Sequence, residues 1–340
     1  MNTAELAATA RALVAKNRGI LAADESSGTI AKRFGSIKLE STEENRRAYR
    51  EMLFTAPGAG EFISGVILYD ETLRQKTKAG VPFPAYLGQH GMIPGIKVDT
   101  GAKPLAGFPG ETITEGLDGL RERLAEYRKL GAKFAKWRAV IDIGAGIPSA
   151  YAIDANAQAL ARYAALCQEA GIVPIVEPEV LMDGSHTLQR CEEVTNTVLQ
   201  RVFGHLQAAR ILLEGMLLKP NMVVAGKKCP EKASAEQVAE ATLRTLKRHV
   251  PCAVPGIAFL SGGQRPTEAT LHLSLMNAAG AAPWALTFSY GRALQETALS
   301  AWGGNPAAFA AGQKALFTRA KLNGLAAGGT YKTSMESAAG

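Results

Sequence analysis

Residues 134–179 read FAKWRAVIDIGAGIPSAYAIDANAQALARYAALCQEAGIVPIVEPE. Phe134–Trp137 and Ile172–Val176 are short apolar runs of strand length, and each passes into charged residues at its C-terminal end. Between them Ala152–Ala170 carries apolar residues at three- and four-residue steps, the period of a helix packed along one face. Strand, helix and strand in so short a span form the unit from which parallel sheets are built.

The same pattern extends outward in both directions. Apolar runs recur at Gly19–Ala23, Ile63–Tyr69, Gly95–Val98, Gly215–Leu218, Gly256–Leu260 and Trp284–Phe288, which brings the total to eight. Helical periods are read at Thr114–Leu130, His186–Ala208, Ala235–Val250 and Pro306–Leu325. Ser41 with Glu44, and Ser234 with Gln237, have the spacing of a capping box. Eight strands, each followed by a helix or a loop leading to one, predict an α/β fold, a single (β/α)8 TIM barrel; an open doubly wound sheet is the alternative. The barrel is expected over residues 1–327, with 328–340 a flexible C-terminal tail of low apolar content.

Composition narrows the function. Hydrophobic residues make up 47% of the 340 and charged residues 20%, enough to build a substantial core. The net charge of +7 is spread along the chain and not massed into runs that would track a nucleic-acid backbone, so small anions are the expected partners. No stretch reaches the roughly 20 apolar residues of a membrane span. Four cysteines without CxxC spacing read as reduced thiols of a cytoplasmic protein. The five histidines lack metal-ligand spacing, so chemistry without a metal is expected.

In a barrel, residues just past the C-terminal end of each strand share one mouth. Lys219 ends GMLLKPN, between an apolar strand and a proline turn. An amine attacks a ketone only when neutral, and burial beside cations such as Lys136 and Arg138 favours that form. Glu177 and Glu179 lie two apart and so face the same way; close carboxylates divide into one that holds a proton and one that stays ionised. Lys136 and Arg138 share a face by the same rule, with Trp137 opposite, and two neighbouring cations in an interior need an anion. A substrate phosphate or the Glu177–Glu179 pair would supply it. Asp24 and Lys97 close the first and third strands, the one suited to act as a base or orient a lysine, the other to hold phosphate. Ser261, Gly262 and Gly263 follow the seventh strand and Arg292 the eighth, where barrels often bind phosphate. Ser26, Ser27, Thr29 and Arg33 follow the first strand and suit a second phosphate.

GILAADESSGTIAKR, GIKVD, FAKWR, GIVPIVEPE, LLKPN, FLSGGQ, PWALTFSYGRALQ and AWGG, in that order from about Ala10 to Tyr331, resemble the class I fructose-bisphosphate aldolases. The resemblance implies reversible cleavage of fructose 1,6-bisphosphate to dihydroxyacetone phosphate and glyceraldehyde 3-phosphate, without metal or cofactor, by a homotetramer. It makes Lys219 the Schiff-base lysine, Glu177 the general acid/base, and Lys136, Glu179 and Asp24 their catalytic neighbours. Lys97, Arg138, Ser26, Thr29 and Arg33 would hold one phosphate, and Ser261, Gly262, Gly263, Gly291 and Arg292 the other. Two departures stand out. Thr29 replaces a frequent serine, and the tail ends SMESAAG without the terminal tyrosine of eukaryotic members. A related aldolase acting on a 1-phosphate ketose, or a non-catalytic scaffold, are the competing readings.

Overall fold

The computed structural model describes residues 2–337. All eight predicted runs form strands: β1 (Gly19–Ala23), β2 (Ile63–Leu68), β3 (Ile93–Lys97), β4 (Phe134–Ile141), β5 (Val173–Val180), β6 (Leu217–Leu218), β7 (Gly256–Phe259) and β8 (Ala285–Tyr290). They pair in parallel and in chain order, and β8 returns to β1 to close a barrel. The open-sheet alternative is thereby excluded. Helices fill the outer layer, among them Ala150–Glu169, Leu188–Ala208, Ala235–His249, Pro266–Ala278 and Phe309–Ala327.

Alternation along the strands sorts the barrel interior into an apolar floor and a charged mouth. Ile20, Ala22, Ile67, Phe134, Val173, Ile175, Leu217 and Ala258 form one inner cluster. Helix α1 (Thr3–Leu13) closes the floor with Leu6, Ala10 and Leu13, joined by Val14. Two of the floor's glycines make room for this plug: a Cβ on Gly65 would lie 2.6 Å from Leu13, and one on Gly256 would lie 2.6 Å from Val14. Going up the strands in steps of two from the floor leads to Asp24, Lys136, Glu177 and Lys219. The opposite parity faces the helices, as Trp137 does where it packs on Tyr163 with ring centroids 5.6 Å apart.

Two local expectations need correction. Thr114–Leu130 is not one helix. Thr112–Glu115 pairs with Gly101–Pro104 as an antiparallel hairpin, and the helix begins only at Leu120. Three β-branched residues, Thr112, Ile113 and Thr114, favour the strand, and Thr114 donates its hydroxyl to Arg138 O at 2.8 Å. Gly116 then breaks any helix with φ 126°, since a Cβ there would meet Thr100 N at 2.9 Å. Ser41 and Glu44 do not form a capping box; Thr42 caps the helix Glu43–Phe54 by accepting from Asn45 N at 3.1 Å. The box at Ser234 and Gln237 is present.

In the segment expected as a tail, Tyr331 is buried, its hydroxyl donates to Glu336 at 2.7 Å, and Glu336 pairs with Arg319 at 2.7 Å. Residues 338–340 of that segment lie outside the described residues.

Leu13→Ala should lower unfolding stability by about 2–5 kcal/mol through a cavity beneath the floor. It should leave the KM for substrate unchanged, because Leu13 belongs to the floor and does not line the mouth. Urea denaturation beside steady-state kinetics checks both halves.

Candidate active site

A cavity of about 290 Å³ opens at the C-terminal ends of the strands. All but one of the residues singled out from the sequence line it: Lys219, Glu177, Lys136, Asp24 and Glu179, with Ser26, Thr29, Arg33, Lys97, Arg138, Ser261, Gly262, Gly263, Gly291 and Arg292 around them, whereas Ser27 does not. Six cationic side chains and four carboxylates share the lining, an excess of positive charge that suits an anionic substrate.

The centre is a buried chain of charges. Lys136, 4% exposed, places Nζ 2.8 Å from Asp24 Oδ2, 3.4 Å from Glu177 Oε2 and 3.9 Å from Asp99 Oδ2. Lys219, also buried, places Nζ 3.2 Å from Glu177 Oε1. One carboxylate therefore touches both lysines. Burial alone would push the Asp24 carboxyl up, but Lys136, Lys219 and Lys97 outweigh it and hold the group well below the usual carboxylate range. Burial would also lower Lys136, yet Asp24, Glu177 and Asp99 raise it well above an ordinary lysine, so it is a fixed cation.

Glu177 and Glu179 are engaged by different partners. Glu179 takes the Arg138 guanidinium, whereas Glu177 takes the two lysines, and its Oε2 accepts no hydrogen bond of good geometry. The anion that Lys136 and Arg138 need is thus this pair of glutamates, together with Asp24. Lys97 is held by Asp99 at 2.6 Å.

Around the first strand, Ser26 and Thr29 share a hydrogen bond of 3.1 Å, and Arg33 pairs with Glu25. Glu25 is itself buried against Arg50 at 2.7 Å and accepts from Gln295 at 3.0 Å. After β7, two strands round the barrel, Gly262 and Gly263 have φ values of 52° and 84°, left-handed geometry that lets the backbone turn tightly past Ser261. This turn is held from below: Gln264 donates to Ser261 O at 2.9 Å, and His272 Nδ1 donates to Gln264 Oε1 at 2.6 Å. Burial lowers His272 to about 4, so the ring is neutral near pH 7. Arg292 donates to Gln264 O at 3.3 Å.

Sequence reasoning missed Asp99, Glu25, Ser289 and the Gln264–His272 support. Asp99 lies two past Lys97, the same spacing that paired Glu177 with Glu179, and Glu25 adjoins Asp24; both had a readable signal. Ser289 lines the cavity from β8 with a buried hydroxyl that has no hydrogen-bond partner among the described residues. Gln264 and His272 meet only through the fold.

A protein-family model described as fructose-bisphosphate aldolase class-I matches residues 5–340. The chain belongs to the class I fructose-bisphosphate aldolase family. It is 59% identical to a probable fructose-bisphosphate aldolase class 1 of Xanthomonas axonopodis pv. citri over 336 residues, covering 98% of this chain and 100% of the relative. It is 55% identical to fructose-bisphosphate aldolase A of Salmo salar, covering 98% and 93%. The fold is similar, with a TM-score of 0.96 at 52% identity over 97% of this chain and 96% of the other, to a fructose-bisphosphate aldolase from Plasmodium falciparum solved with TRAP and a small-molecule inhibitor. The aldolase family thus accounts for the whole barrel and for the eight-strand reading of the sequence.

The depressed Asp24 carboxyl makes a pH-dependent contribution to this aldolase's stability. A group whose folded value lies below its unfolded value stabilises above the unfolded value, about 3.9, and loses that effect as pH falls further. Asp24→Asn should therefore be less stable than wild type at pH 7, with the deficit shrinking below about pH 4. Urea midpoints measured from pH 7 to pH 3 check this; a deficit constant across that range would mean the pairing with Lys136 is not its source.

Proposed function

We propose that this chain cleaves and re-forms fructose 1,6-bisphosphate, with dihydroxyacetone phosphate and glyceraldehyde 3-phosphate as the products, through a Schiff base on Lys219. The observation that carries this reading is Glu177 Oε1 at 3.2 Å from Lys219 Nζ in a buried site, within a cavity also lined by Arg33, Lys97, Arg138 and Arg292. Lys219 Nζ attacks the ketone carbon, and its proton has an acceptor within reach in Glu177. A second proton, from solvent, makes the alkoxide oxygen a hydroxyl, and protonated Glu177 then gives its proton to that hydroxyl, which leaves as water and yields the iminium.

The iminium draws the electrons of the C3–C4 bond toward nitrogen. That bond breaks as a base takes the proton of the C4 hydroxyl, releasing the aldehyde and leaving an enamine. Protonation of the enamine at C3 and hydrolysis of the resulting iminium free the second triose phosphate and restore the amine. Lys136, fixed as a cation between Asp24 and Glu177, stabilises the carboxylate form of Asp24 and offsets negative charge that develops on oxygen. Asp24 keeps that ammonium in place.

Lys97, Arg138, Ser26, Thr29 and Arg33 are proposed for one phosphate, and Ser261, Gly262, Gly263, Gly291 and Arg292 for the other. Two groups of anion-binding residues, one after β1, β3 and β4 and the other after β7 and β8, favour a bisphosphate held at both ends with its ketone carbon over Lys219. The same reading includes a homotetramer in the cytoplasm. No described helix is long and apolar enough to cross a membrane, and a relative in Arabidopsis thaliana is named as cytosolic.

Incubation with dihydroxyacetone phosphate and borohydride, in the presence of EDTA, should trap an adduct at Lys219, located by peptide mass spectrometry. Lys219→Arg should lose both the adduct and cleavage activity by about a thousandfold or more, since no other nucleophile replaces the amine. An adduct elsewhere, or turnover surviving in Lys219→Arg, would overturn the assignment. Light scattering should return four times the 35.9 kDa of one chain.

A further inference from the structure

Lys227 lies just outside the cavity, on the loop that follows β6, and its position is unusually constrained. Gly226 N donates to His186 O at 2.8 Å, Lys227 N to Met182 O at 2.7 Å and Lys228 N to Gly184 O at 3.0 Å. These bonds zip the loop after β6 to the loop after β5. Lys232 Nζ adds a bond to Lys227 O at 2.8 Å. The backbone of Lys227 is thus fixed by neighbours on both sides, although its side chain is 42% exposed.

From that anchor the side chain reaches over the glycine turn. A Cβ built on Gly263 would lie 2.6 Å from Lys227 Nζ and 2.8 Å from its Cε. The left-handed φ calls for glycine at 263, and the Lys227 ammonium lies close over that glycine. The same Nζ pairs with Asp183 at 2.7 Å, and Asp183 is 60% exposed. An exposed lysine–carboxylate pair is held by little net free energy, so its exchange for a stronger anion is easy. A phosphate, with its charge near −2 and several acceptor oxygens, is such an anion.

We propose that Lys227 is a further binding residue for the phosphate held by Ser261–Gly263, shifting from Asp183 to the substrate's phosphate when it arrives. Asp183 parks the ammonium over Gly263 and competes with the ligand for it. The loop after β6 thereby joins those after β7 and β8 in one phosphate site. The inference rests on the reading of Ser261–Gly263 as an anion turn.

The test uses the full-length enzyme, with KM and kcat for fructose 1,6-bisphosphate cleavage and competitive inhibition by inorganic phosphate as the two readouts. Lys227→Ala should raise both the KM and the inhibition constant about three- to tenfold, with kcat within about twofold, as expected for one partly exposed charge pair. Lys227→Arg should restore both. Asp183→Asn should lower both about twofold in the wild-type background and leave them unchanged beside Lys227→Ala, because the competition passes through Lys227 alone. Unchanged constants in Lys227→Ala, or an equal effect of Asp183→Asn in both backgrounds, would overturn the proposal. Ser261→Ala separates the two levels of the argument: if it weakens phosphate inhibition while Lys227→Ala does not, the turn binds phosphate without Lys227. If neither variant moves the inhibition constant, the turn's assignment falls as well.

Discussion

The ammonium of Lys136 sits inside a closed barrel with almost no contact with water, and an ion so placed must be met by charge of opposite sign. Asp24, Glu177 and Asp99 meet it from three other points of the barrel, past β1, on β5 and past β3. Their arrangement fixes where each strand ends and which way its last side chains point. Lys219 is paired in this network with Glu177, so its amine is positioned by a carboxylate that is itself held by Lys136. A shift of one strand's register by a single residue would turn its charge outward and strand its partners.

The charged mouth depends in turn on a dry floor. Floor and mouth lie on the same strand faces, so the interior side chains must change from apolar to charged within one or two steps of the alternation. Phe134 and Lys136, Ile175 and Glu177, and Leu217 and Lys219 all make that change. Helix α1 seals the floor, and glycines at Gly65 and Gly256 let its side chains enter between the strands. The floor excludes water from below, which strengthens every charge interaction above it. In this way the stability of the barrel and the electrostatics of its mouth rest on one pattern.

That pattern was legible in the sequence because it is local. Each strand run carries its own polar terminus, and the spacing of two that joins Glu177 to Glu179, or Lys136 to Arg138, needs no knowledge of the fold. All the site residues read in this way line one cavity. The failures are of a different kind. The hairpin at Gly101–Pro104 and Thr112–Glu115 depends on pairing across an intervening loop, and the helical period seen from Thr114 ignored the break at Gly116. Arg50, Gln295, Gln264 and His272 support mouth residues from within helices or turns, where nothing in the neighbouring sequence marks them.

The distribution of carboxylates explains how so many cations coexist in one mouth. Lys97 is held by Asp99, Arg138 by Glu179, Arg33 by Glu25 and, at the rim, Lys227 by Asp183. Each acid limits the mutual repulsion of the cations and fixes a side chain that would otherwise lose rotamer freedom on binding. It also competes with an incoming phosphate, which lowers affinity. For an enzyme that must release two phosphorylated products this competition is useful, because a cation returned to its carboxylate lets the product leave. The pairs differ in depth: Glu25 and Asp99 are buried and act as fixed supports, whereas Asp183 is exposed and yields its cation readily. The mouth is thus graded from rigid charge at the reacting centre to exchangeable charge at the rim, and the grading follows from how far along each strand or loop the carboxylate stands.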